Sequence, residues 1–140
     1  ACGVVLYDAL FFIVHVAFHR FGLRAHRRHH ALRRTPRAGG GWMSAAKVLD
    51  HSLVDGALQV LVNIACQRAG PFGAKTRLAR WLHNVAVTFL LSEAHTTCAW
   101  PKIARRWFVG VRDHHLHHAH GGPPFEQFFG YLDHFVGSRA

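Results

Sequence analysis

Residues 2–30 read CGVVLYDALFFIVHVAFHRFGLRAHRRHH, an apolar run that closes on two histidine clusters. As a helix, residues 2–18 would extend about 26 Å at roughly 1.5 Å per residue, slightly short of the ~30 Å hydrocarbon core of a bilayer. Only Asp8 and His15 interrupt the apolar character. His15 and His19 are spaced HxxxH, and His26, His29 and His30 are spaced HxxHH. Positions three and four apart share one helix face, so each cluster can aim two or three imidazoles at one point.

The same HxxHH spacing returns far along the chain as His114, His117 and His118, with His115 between them. Between the boxes lie two more apolar segments, LVDGALQVLVNIAC at 53–66 and WLHNVAVTFLLSEAHTTCAW at 81–100. The Gly-Pro turn in 68–80 makes a hairpin connection between them, and Pro101 ends the second. Ser44 is the expected cap of the helix that leads into the hairpin. Gly121-Gly122-Pro123-Pro124 forms a loop before an aromatic tail, FEQFFGYLDHFVG.

No segment supplies an uninterrupted run of about 20 apolar residues, and each helix taken alone reads as a buried helix of a soluble protein. Charge placement favours a membrane. If 48–67 and 81–98 form a two-span hairpin, residues 20–47 carry eight Lys or Arg, 102–112 carry four and Arg139 makes thirteen on one side. The turn carries the other four. That bias places the thirteen on the cytoplasmic side. An even number of spans also returns the chain to the side it left, so all three boxes can meet at that face. The end of the 81–98 helix brings His95 there as well.

Fourteen histidines in 140 residues is the most unusual number in the composition. Neutral imidazole suits iron, zinc, copper and nickel. The spacing assigns ligation to His15, His19, His26, His29, His30, His114, His117 and His118. Eight imidazoles exceed what one ion accepts, so two ions are expected. Neutral ligands leave the metal charge uncompensated, which calls for carboxylates around them. Asp8, Asp50, Asp55, Glu93, Asp113 and Asp133 are the candidates. His83, inside an apolar helix, reads as a hydrogen-bonded core residue and His134 as a surface or interfacial one. His51, His115 and His120 stay open, with His51 or His120 a possible tenth ligand. The three cysteines, Cys2, Cys66 and Cys98, form no CxxC, which disfavours a disulfide framework or a cysteine zinc site.

The boxes and their surroundings resemble the fatty acid hydroxylase and sterol desaturase superfamily of histidine-box membrane oxygenases. Tyr7-Asp8 resembles the family's aromatic and acidic lead into box one. Asp50-His51-Ser52-Leu53-Val54-Asp55 resembles the segment opening its third span, and Glu93-Ala94-His95-Thr96 the extra histidine ending its fourth. Residues 129–138, FGYLDHFVGS, resemble its closing motif. Gly121-Gly122-Pro123-Pro124 stands where the family commonly has a polar-aromatic-glycine motif. The likeness runs from about residue 7 to 138.

The resemblance implies an all-α integral membrane helical bundle with a cytoplasmic, histidine-rich metal cap. The chain is read as one hydroxylase-like domain, 1–140, with apolar helices at about 2–19, 48–67 and 81–98. The family has one or two spans ahead of box one. With Ala1 in first place and no cleavable signal peptide, the expectation is a fragment of the full bundle. The resemblance further implies two iron ions, with zinc as a substitute, and His95 as a ninth ligand. It implies oxygen-dependent hydroxylation or desaturation of a sterol or fatty acyl lipid. Electrons would come through cytochrome b5 or a similar donor from an NAD(P)H reductase, and the eukaryotic setting would be the endoplasmic reticulum. No residue beyond the metal ligands is singled out as catalytic.

Three other readings compete. A formal charge of +10 suits a nucleic-acid-binding protein, but a cytoplasmic membrane face carries the same basic signature, and nucleic-acid binding explains neither the apolar helices nor the boxes. A bis-histidine haem protein could use His15 and His83 but would leave both HxxHH boxes idle. An inactive metal-binding remnant would keep the boxes without turnover. Metal content, a Soret band and turnover separate these.

Overall fold

The computed structural model describes residues 2–31, 53–68, 75–94 and 107–137, apart from the side chains of Ala25, Arg28, His29 and Ala31. These residues form six helices: α1 (Cys2–Arg20), α2 (Arg24–Ala31), α3 (Leu53–Arg68), α4 (Arg77–Ala94), α5 (Val111–His120) and α6 (Tyr131–Phe135). No strand occurs among the described residues; a single antiparallel bridge joins Phe108 to Phe129. The helical class expected from the sequence is therefore observed.

Packing centres on α1, which lies against α2, α3 and α4. The reason is its buried stripe. Tyr7, Phe11, His15 and Phe18 recur every three or four residues and so share one face. The apolar half of that stripe joins Val62 and Cys66 of α3, Val87 of α4 and Phe128 of the tail in one cluster. Tyr7 stacks on Phe11 and Phe128 with ring centroids 6.0 and 5.6 Å away. Further along the same face come His15 and Phe18. The core thus runs along α1 directly into the site.

Of the described helices, α1 alone is long and apolar enough to cross a membrane, with a mean hydropathy of 1.8. α3 and α4 are less apolar because polar side chains interrupt them. Those side chains satisfy one another across the helix pair. His83 lies 2.8 Å from Asn63 Oδ1, and Gln67 donates to Asn63 Oδ1 at 3.1 Å and to Asn84 Oδ1 at 2.8 Å. The hydrogen-bonded reading of His83 matches this arrangement. Outward, α3 and α4 expose Leu53, Leu61, Leu78, Trp81 and Phe89, more apolar surface than isolated exposed residues explain.

α4 begins at Arg77, ahead of the expected 81, because Thr76 caps it: the Thr76 hydroxyl accepts from Ala79 N at 3.2 Å. The connection read from the Gly-Pro turn is correspondingly shorter. The expected cap at Ser44, the start of the 48–67 segment, and residues 95–101 lie outside the described residues.

Phe128→Ala should cost about 3–5 kcal/mol of stability, since it empties a ring-sized space in the core. Trp81→Ala, at an outward position, should change detergent-solubilised stability by less than about 0.5 kcal/mol. Denaturant unfolding of the two variants in detergent checks the contrast.

Candidate metal centre

Two tight turns bring the boxes together. After α1, Gly22 adopts φ 60, which folds α2 back over the end of α1 and sets box two beside box one. After α5, Gly121 adopts φ 70 and donates its N–H to His117 O at 2.7 Å, closing the helix immediately behind box three. α5 itself starts where Asp113 accepts from Gly110 N at 3.2 Å.

His15, His19, His26, His30 and His117 place one ring nitrogen each within 4.8 Å of all the others. The Nε2 atoms form a near-continuous series. His15 Nε2 lies 3.3 Å from that of His19 and 3.0 Å from that of His117. His26 Nε2 lies 3.0 Å from both the His19 and the His30 Nε2 atoms. Beside this group, His114 and His118 pair their Nε2 atoms at 3.1 Å, and the His118 ring sits 4.7 Å from that of His30. A small cavity of about 30 Å³ adjoins both groups, lined among others by His15, His26, His114, His118, Asp55 and Glu126.

The outer nitrogens decide what the inner ones can do. His15 Nδ1 donates to Phe125 O at 2.7 Å, and His117 Nδ1 donates to Gly122 O at 2.6 Å. A carbonyl only accepts, so each ring carries its proton on Nδ1, and each neutral ring has a bare Nε2. Two bare lone pairs then face each other at 3.0 Å. A cation between them relieves the repulsion. A proton is a poor choice, because burial pushes His117 down to about 4, with His19 and His26 adding to the shift against the Gly122 carbonyl and Asp133. A metal ion fits: ligand nitrogens about 2.1 Å from an ion stand roughly 3.0 Å apart at right-angled positions. Imidazoles whose far nitrogens are engaged, as those of His15 and His117 are by carbonyls, suit a metal site. His26 Nδ1 adds a carboxylate neighbour, lying 3.4 Å from Asp55 Oδ1.

Seven of the nine expected ligands thus lie in two adjoining groups, five in one and a pair in the other. The His29 side chain and His95 lie outside the described residues, as does His51. His120 is exposed and donates from Nδ1 to Leu116 O of its own helix at 3.0 Å, and it lines an outer cavity of about 490 Å³ with His19, His26 and His30. His134 is exposed. His83 packs edge-on to Tyr7, about two turns along α1 from His15, so these two rings do not share a haem face.

Of the expected carboxylates, Asp55 approaches a box residue, whereas Asp8, Asp113 and Asp133 bind backbone amides. The chain's remaining acid, Glu126, was not among the candidates. It is 1% exposed at the edge of the cluster. Its signal was available: the tail 125–137 holds only two acids, Glu126 and Asp133, in an otherwise apolar stretch. The carbonyls of Gly122 and Phe125 had no sequence signal, being backbone.

A model of the fatty acid hydroxylase family matches residues 1–138, and the chain belongs to that family. No curated protein and no solved structure matches it. The family is membrane-associated and metal-dependent, and its members act as lipid hydroxylases or desaturases, which agrees with a histidine cluster able to hold metal.

His117→Ala should lower cobalt(II) affinity at least about tenfold, since it removes one of the facing nitrogen pair. His134→Ala, at an exposed position, should leave it unchanged. Competition titration against a chelator checks both.

Proposed function

We propose that the chain is a lipid-oxidising enzyme of hydroxylase or desaturase type, working on a sterol or fatty acyl lipid with dioxygen and electrons from a separate donor. The observation that carries this reading is the facing Nε2 pair of His15 and His117, joined across the chain with both Nδ1 protons fixed outward. In this reading His15, His19, His26, His30 and His117, with His114 and His118, hold two iron ions, and His29 and His95 complete the set. Bound iron supplies the redox chemistry that activates dioxygen; zinc suits the same imidazoles but has none.

The chain's own residues do the rest. The Phe125 and Gly122 carbonyls keep two ligand lone pairs aimed inward. Phe11 and Phe18 form the apolar part of the small cavity beside the cluster, whose other lining residues are polar. The outer cavity beside His19 and His30 is large enough to take part of an amphiphile.

The proposed setting is one domain, 1–140, embedded as a helical bundle. α1, α3 and α4 lie in the membrane, and the boxes face the cytoplasm, in eukaryotes from the endoplasmic reticulum. The apolar character of α1 and the outward apolar faces of α3 and α4 support it. In this reading the reductant comes from a b5-type protein and its NAD(P)H reductase docking on the basic face.

Iron-loaded protein in membranes with a b5-type donor should oxidise a member of a lipid panel with matching dioxygen uptake. His117→Ala and His118→Ala should abolish oxidation while leaving membrane insertion intact; unchanged turnover in both would remove box three from the reaction. Protease mapping should place Arg28 and Arg106 on the same side of the membrane.

A further inference from the structure

Four consecutive amides of the tail, Glu126 to Phe129, donate to two fully buried carboxylates. Asp133 Oδ2 accepts from Glu126 N at 2.7 Å. Asp8 Oδ1 accepts from Gln127 N at 3.2 Å and Phe128 N at 2.9 Å, and its Oδ2 accepts from Phe129 N at 3.1 Å. The Glu126 carboxylate closes the turn by accepting from Asp133 N at 2.9 Å. Both aspartates are 0% exposed. This segment lies between helices, so no helical ladder accepts from those four amides, and the carboxylates set its shape.

The first of these amides belongs to the same peptide group as the Phe125 carbonyl. That carbonyl accepts from His15 Nδ1. A continuous line therefore runs from the Asp133 carboxylate, through one peptide, to the far nitrogen of a box-one ring. A carboxylate on the N–H side of a peptide polarises its carbonyl and strengthens the bond that the carbonyl accepts. A carboxylate bonded directly to a ligand histidine does the same thing at shorter range. Asp8 sits seven residues before His15 on the same face of α1 and holds the three peptides that follow. α1 thus fixes the strap at two points, and one of them is a box ligand.

We propose that Asp133 and Asp8 are positioning residues for the metal centre: Asp133 acts on His15 through the Phe125–Glu126 peptide, and Asp8 holds that peptide's neighbours so that the carbonyl stands in place. This rests on the reading of the histidine cluster as the metal centre. Asp133→Asn keeps the size and one oxygen acceptor but removes the charge. Asp8→Asn removes one of the two oxygens that three amides need. Val62→Ala is the control, since it disturbs the same core without touching the strap.

The probe is cobalt(II), titrated into the metal-free full chain in detergent. Affinity, the cobalt visible spectrum and metal-free thermal stability are measured together. Both aspartate variants should bind cobalt about tenfold more weakly, with an altered spectrum. Val62→Ala should lose thermal stability yet keep wild-type affinity and spectrum, which a merely structural role for the aspartates would also give. A second measurement needs no variant. In metal-free wild-type protein the amides of 126–129 should already exchange slowly with deuterium, because carboxylates and not metal order them. Wild-type cobalt binding by both aspartate variants would overturn the proposal, as would fast exchange that slows only on adding metal. A wild-type chain that binds no cobalt would overturn the metal reading and this proposal together.

Discussion

The structure depends on keeping several neutral imidazoles buried with their bare nitrogens in contact. Left alone, such a cluster repels itself, and protonating it would gather positive charges in a poorly solvated place. The surrounding features answer that difficulty. Backbone carbonyls hold the Nδ1 protons of His15 and His117 outward, and Asp55 stands beside the Nδ1 of His26. Gly22 and Gly121 permit the two turns that bring the boxes close. Four acids among the described residues, Asp8, Asp55, Glu126 and Asp133, are buried. Negative charge gathered around neutral nitrogen donors is the environment a dication requires.

Much of this was legible because helical spacing is a local property. HxxxH and HxxHH state which rings share a face, and nothing distant needs to be known. The buried stripe of α1 was masked in the sequence, because apolar residues lie on every side of the run and only packing selects Tyr7, Phe11, His15 and Phe18. The meeting of His15 with His117, 102 residues away, was reachable only through the topological argument that an even number of spans returns the chain to one side. The carbonyls that orient the rings were not legible, because any residue has a carbonyl and only the fold aims it. Glu126 fell between these cases: its type and its isolation in an apolar tail were visible, but its partner, the amide of Asp133, was not. α4 starts earlier than its apolar run implies because the Thr76 hydroxyl makes the cap, ahead of the first apolar turn.

Hydropathy understates α3 and α4 for a physical reason. Asn63, Gln67, His83 and Asn84 count as polar in any sum over sequence, yet in the fold they bond to one another across the two helices. Polar groups paired in this way cost far less in an apolar medium than separate ones. The outward face of α3 is apolar along most of its length, and that of α4 carries Leu78, Trp81, Leu82, Val85 and Phe89 among its polar residues. A chain-wide average blends the two faces and reports neither.

The surroundings of the cluster bear on how a metal held there could be adjusted. Imidazoles are neutral ligands, so exchanging one for another would leave the charge at such a metal unchanged. The nearby carboxyl groups belong instead to residues that do not need to ligate: Asp55 beside α2, and Asp8, Glu126 and Asp133 around the strap. Burial strengthens their influence, because the medium between them and the nitrogens screens poorly. Changes in this outer layer can therefore alter ligand basicity and electron affinity while the boxes keep their spacing. On this argument the strap, built from backbone and three acids, can set the charge around a metal held by the cluster without supplying a ligand to it.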